Sequence, residues 1–220
     1  MQSVYTHTKA APDAGGTKER IQQVALELFV LHGYEKTSLR EIADRLGITK
    51  AALYYHYASK QDLLKSVTQP LIDEFEAMVH ADPPAEELLR SYIDLLYRHR
   101  AVFQLVANDH SCLAAAELVE RSVQLRRDVV RQLAGPDPRP ADYVRAAAAF
   151  GAISQGFMVA RRAEPAADPA VPDLEAAAEA AAGLPGPADY PDGAELARIL
   201  LDAALAVLRP GSGDRGISEP

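Results

Sequence analysis

The sequence predicts an all-α protein with a three-helix N-terminal helix-turn-helix domain and a larger C-terminal helical domain, about nine helices in all. Three observations point there. Apolar residues recur at i, i+3, i+4 and i+7 along most of the 220 residues, and almost no stretch alternates with a period of two. The segment Thr37–Tyr57 reads as two short helices joined at Gly47. Charge is unevenly divided. Residues 1–65 carry 9 Lys and Arg against 7 Asp and Glu, a net of +2; residues 66–220 carry 14 Arg against 24 acidic residues, a net of −10, giving −8 for the chain.

Residues 1–16, with Pro12, Gly15 and Gly16, predict a flexible arm, and Thr17 is placed to cap a first helix. Ile21, Val24, Ala25, Leu28 and Phe29 form its apolar stripe, and Gly33 ends it. Ser38 is followed three residues on by Glu41, the spacing of a capping box, so a second helix starts there. Ile42, Ala43 and Leu46 are its inward residues, and Gly47 supplies the left-handed backbone that a helix end needs. Thr49 caps a third helix anchored by Leu53. Ser59 and Asp62 repeat the capping spacing for a fourth, which runs through Leu63, Leu64, Val67, Leu71, Ile72 and Phe75 to about His80, before Asp82-Pro83-Pro84.

Beyond Ala85 the pattern stays helical. One helix is marked by Leu88, Leu89, Tyr92, Ile93, Leu95 and Leu96, and a short one by Val102, Phe103, Leu105 and Val106. A third is expected from about Cys112 to Leu133, and a fourth from about Ala141 to Ala163. Residues 164–193 turn rich in Pro, Gly and Ala and predict a long loop holding at most a short helix around residues 174–182. The sharpest stripe follows, Leu196, Ile199, Leu200, Ala203, Ala204, Val207 and Leu208, before Pro210-Gly211 and a disordered tail, residues 210–220.

Residues 17–65 resemble the DNA-binding domain of the TetR family of bacterial transcriptional regulators. The resemblance rests on Thr37-Ser38, Arg40-Glu41-Ile42-Ala43, Leu46-Gly47-Ile48, Leu53-Tyr54-Tyr55-His56-Tyr57, Ser59-Lys60 and Leu63-Leu64. It implies that residues 66–209 form a regulatory and dimerisation domain. It also implies DNA contacts. Lys50, Ala51, Ala52 and Tyr54, beginning just after the capping residue Thr49, sit where the family meets base edges in the major groove. Tyr55, His56 and Lys60 sit where it meets phosphates, and Ser38 and Arg40 where it grips backbone or a flanking base. Tyr54 also suits a core role, and Tyr57 is expected to pack inward. His56 has no second metal ligand at i+3 or i+4, so it is read as a phosphate donor.

A single reading helix covers too few base pairs to specify a site, so a homodimer on a palindromic operator is expected. Leu196, Ile199, Leu200, Ala203 and Val207, with Ala149, Ala152 and Gly156 offering close approach, are its candidate interface. Tyr92, Phe103, Asn108, His110, Gln155, Phe157 and Arg161 are the candidate contacts for a small apolar or amphipathic effector, chosen by residue type and position. A ligand-responsive repressor follows as the expected function. The alternative is a helical interaction module that does not read DNA sequence.

No GxSxG, HExxH, phosphate-loop or CxxC pattern occurs, so no enzyme, cofactor or metal is expected. A single cysteine, Cys112, cannot form an internal disulfide or a cysteine-built metal site. No apolar run reaches membrane-spanning length and no apolar leader opens the chain, so a cytoplasmic protein is expected.

Overall fold

A computed structural model describes residues 14–162, 191 and 193–209. Ten helices and no strand occur among the described residues: α1 (Ala14–His32), α2 (Leu39–Leu46), α3 (Lys50–His56), α4 (Lys60–His80), α5 (Ala85–Arg98), α6 (Arg100–Asn108), α7 (His110–Ala115), α8 (Val119–Ala134), α9 (Pro140–Arg162) and α10 (Gly193–Leu208). The expected short helix at 174–182, most of the Pro-rich loop, the arm through residue 13 and the tail from residue 210 lie outside the described residues.

The chain divides into two compact units. The first joins the described residues up to Pro70 with Ala101–Leu118; the second joins Leu71–Arg100 with the described residues from Val119 onward. In the first, Ile21, Ala25, Leu28 and Phe29 of α1 close over Ile42 and Ala43 of α2, Leu53 of α3, and Leu63, Leu64 and Val67 of α4, all buried. Val102 and Leu105 of α6, with Cys112 and Ala116, are buried in the same unit. The α6–α7 segment therefore packs with the helix-turn-helix, although it follows it by some 40 residues in sequence.

The second unit is a helical stack. Tyr92 of α5 lies 5.4 Å from Phe75 and 4.5 Å from Phe150, ring centre to ring centre, and its hydroxyl meets Ser154 Oγ at 2.9 Å. Burial pushes the Tyr92 phenol up to about 12, against the opposing effect of the Ser154 bond. Helix α10 seats on α9 at Gly156, where a Cβ would come within 2.5 Å of Leu200 Cδ2. Arg121 of α8 clamps Glu76 and Asp73 of α4, and Gln132 Nε2 donates to Val79 O at the end of α4.

Two expectations are corrected. Helix α1 begins at Ala14, ahead of Thr17: the first turn of a helix has no internal partners for its N–H groups, so a hydroxyl does not fix where it starts. The helix expected from Cys112 to Leu133 is two helices, broken at Glu117, whose φ is +59°. That residue is held from outside the segment, its carboxylate accepting from Lys65 Nζ at 2.8 Å and Gln61 Nε2 at 3.1 Å. Helix α4 runs to His80 as expected, and it does so through Pro70, which cannot donate to Ser66 O one turn back. Gln22 Nε2 of α1 donates to that carbonyl instead, at 3.3 Å, so the helix tolerates the proline.

Candidate nucleic-acid interface

The helix-turn-helix is assembled from local hydrogen bonds. Glu41 N donates to Ser38 Oγ at 3.1 Å while Ser38 N donates to Glu41 Oε2, closing the capping box at the start of α2. At the other end Gly47 stands at φ +67°, with Ile48 N donating to Ala43 O and Gly47 N to Asp44 O, which satisfies the last carbonyls of the helix. Thr49 then accepts from Ala52 N at 3.1 Å and starts α3. Two turns of helix are thereby set against each other with every cap made by residues within six positions.

Helix α3 is pinned inward by Leu53 alone, which is fully buried. Lys50, Ala51, Ala52, Tyr54 and Tyr55 are exposed, Tyr55 at 86%. Lys50 Nζ lies 5.5 Å from the Tyr54 ring centre one turn on, so the cation and the phenol share one face. Tyr55 and His56 meet edge to face at 5.3 Å. Ser38 and Arg40 are exposed at the start of α2, where Arg40 reaches Asp44 at 3.7 Å. Tyr57 caps the end of α3 and is buried, and burial raises its phenol above the ordinary value. Such a face joins one long cation, two methyl groups and two phenols on a seven-residue rod. It can hydrogen-bond base edges, accept a thymine methyl and donate to phosphate oxygens.

Lys60 is placed differently from the rest. Its ammonium donates to Tyr34 O at 2.9 Å, Glu35 O at 3.2 Å and Thr37 O at 3.1 Å, and lies 4.2 Å from the Tyr34 ring centre. The three N–H groups of Lys60 are thus taken up by backbone carbonyls of the turn between α1 and α2. Lys18 is exposed on α1 with Nζ 5.9 Å from the Tyr57 ring centre, beside the end of α3. No local pattern ties Lys18 to α3; only the packing of α1 does.

The candidate effector residues divide between the units: Phe103, Asn108 and His110 fall in the first, Tyr92, Gln155, Phe157 and Arg161 in the second. Tyr92 and Phe157 are buried, Phe103 half-buried, Asn108 and Gln155 exposed. The His110 and Arg161 side chains lie outside the described residues. A cleft of about 330 Å³ in the first unit is lined by Phe29, Leu105, Asn108 and Asp109 among others. Among the candidate dimer residues, Ala149, Leu196 and Leu200 are buried within their own chain, and Gly156 faces Leu200. Ile199, Ala203 and Val207 are exposed, and Ala152 is half-exposed.

Fold and site together define a helix-turn-helix protein in which that motif is followed by a second helical unit. A family profile described as bacterial regulatory proteins, tetR family, matches residues 21–67, so this stretch of the chain is similar to that family's N-terminal domain. It is 36% identical over 83 residues to the HTH-type transcriptional regulator AcrR of Shigella flexneri, covering 36% of this chain and 39% of that protein. It is 30% identical over 98 residues to the probable acrEF/envCD operon repressor of Escherichia coli K12, covering 44% and 39%. The matches thus span about two fifths of these relatives. Among solved structures, a transcriptional regulator of Aquifex aeolicus superposes with a TM-score of 0.61 at 21% identity, over 87% of this chain and 99% of that one. The KstR2 regulator of Mycobacterium tuberculosis gives 0.56 at 18% identity, over 85% and 94%. These two share the fold. Among the described residues no helix is long and apolar enough to cross a membrane, and no group of three or more metal-ligating side chains occurs.

Proposed function

We propose that the protein is a sequence-reading transcriptional regulator that binds a palindromic DNA operator as a homodimer. The observation that carries this is α3 itself, a capped helix that buries one leucine and turns Lys50, Ala51, Ala52 and Tyr54 outward together. Ser38, Arg40, Thr49, Tyr55 and His56 flank it as backbone contacts. Lys50 is the leading base reader, because a long cation can meet both acceptors of a guanine. The dimer face is drawn from the outward sides of the last two helices. Val144, Ala148, Ala152 and Val159 lie along α9 at helical spacing, and Ile199, Ala203 and Val207 along α10; none is buried within the chain.

Repression is the favoured sense, as in the operon repressor named above, although one relative, FasR of Mycolicibacterium smegmatis, is named an activator. A small apolar or amphipathic effector is proposed to bind the second unit, whose core holds the Phe75–Tyr92–Phe150 stack. Helix α4 carries the chain across the unit boundary at Pro70, so a change in the second unit has a continuous helix through which to act.

Selection from a random duplex pool at near-physiological salt, followed by anisotropy titration of the enriched site, tests the reading. A two-fold site bound at nanomolar concentration against excess scrambled duplex supports it. An unenriched pool, with weak binding equal on all duplexes, favours the interaction module instead.

A further inference from the structure

The turn Gly33–Ser38 between α1 and α2 decides where α2 begins and hence how α3 is held. Part of it is closed locally. Thr37 N bonds to Gly33 O and Tyr34 O, and the buried Thr37 hydroxyl reaches Gly33 O at 2.9 Å and Leu28 O at 3.1 Å. Tyr34 N donates to Asp109 Oδ2 at 3.2 Å. The carbonyls of Tyr34, Glu35 and Thr37 lie outside any helix, and all three converge on Lys60 Nζ. Three acceptors meet three ammonium protons, and the Tyr34 ring covers the same cation at 4.2 Å.

Lys60 is the first residue of α4, three positions after Tyr57, the cap of α3. The turn it grips immediately precedes α2. One side chain therefore bridges the entry and the exit of the helix-turn-helix, residues 37–60, and closes it into a ring. We propose that Lys60 is a positioning residue, which sets the presentation of α3 and does not itself neutralise a phosphate. This rests on the DNA-reading function above and adds to it the part that holds the reader in place.

The two roles differ in how binding depends on salt. Each phosphate neutralised contributes about 0.9 to the slope of log K against log salt. A clasp contributes to specific affinity without entering that slope. The test compares wild type, Lys60→Met and Lys60→Arg at a temperature where circular dichroism shows all three folded. It titrates the selected operator and a scrambled duplex at several salt concentrations. Separately, it follows amide exchange of Thr37–Ile42 in the free protein.

The clasp predicts that Lys60→Met binds operator about tenfold or more weakly, the loss of hydrogen bonds from a charged donor. Its salt slope and scrambled-duplex affinity stay at wild-type values, so its specificity ratio falls, and Thr37–Ile42 exchange faster. Lys60→Arg, with five donors in a fixed plane, recovers part of the protection with the slope unchanged. The proposal is overturned if Lys60→Met loses about 0.9 of slope per protomer, weakens on both duplexes alike and leaves amide exchange unchanged, with Lys60→Arg restoring affinity. Should wild type show no operator preference, the DNA reading fails, and the amide exchange decides the clasp by itself. Should Lys60→Met not fold, Lys60→Arg carries the comparison, since a phosphate role leaves its operator affinity and exchange intact and a clasp lowers both in part.

Discussion

Gly47 holds φ +67° with nothing within 4 Å of where a Cβ would stand, so its requirement is conformational and not steric crowding. A side chain there must adopt the left-handed region at a cost of about 1–2 kcal/mol. Gly47→Ala is therefore expected to lower stability by about that much, and Gly47→Asn by less, as read by thermal unfolding. Cys112 illustrates the opposite kind of residue. It is fully buried, and burial first, with the nearby Asp109 carboxylate second, pushes its thiol up to about 12. It stays protonated and unreactive, as suits a small apolar core residue. Asp109 itself is held below its ordinary value: burial raises it, but hydrogen bonds from Ser111 and from Tyr34 N outweigh that effect.

The break between α7 and α8 shows what an element owes to distant partners. Glu117 takes φ +59° while its carboxylate is tied to Lys65 and Gln61. Glu117→Gly loses an exposed ion pair but relieves the backbone, so it should melt close to wild type. Glu117→Val loses the pair and places a β-branched residue where it fits worst, and should melt several degrees lower. The sequence here, Ala114-Ala115-Ala116-Glu117-Leu118, favours helix throughout, and the break is invisible without α4. The same distinction runs through the site. Ser38–Glu41, Gly47 and Thr49 were legible because their hydrogen bonds close within six residues. Lys60 was legible as a cation but not as a clasp, since its acceptors lie 23 to 26 positions away. Pro70 inside α4 is likewise explained only by Gln22, 44 positions earlier. The spacing of apolar residues carried most of the helices; the tertiary partners of polar side chains set the exceptions.

At the scale of the whole molecule, three carboxylates bonded to cationic side chains share one direction. The Arg121 guanidinium holds Glu76 below its ordinary 4.5, Lys65 does the same for Glu117, and Arg139 holds Asp142 below 3.8. A carboxylate whose folded value lies below its unfolded one stabilises the fold above the unfolded value, and loses that contribution as pH falls through the folded one. The melting temperature should therefore decline as pH drops below about 4.5, and Glu76→Gln should decline less steeply over that window. The division of charge has its own consequence, since the mildly basic first 65 residues are the part able to approach a polyanion while the acidic remainder is repelled. Whether α3 reads bases is tested by the base preference of Lys50→Ala. Wild type and variant are titrated against the selected operator and against a set of duplexes altered one base pair at a time. If α3 reads bases, Lys50→Ala loses discrimination at one position in each half-site, by about 1–3 kcal/mol, and keeps it elsewhere. A uniform weakening across all duplexes, with every base preference intact, would contradict it.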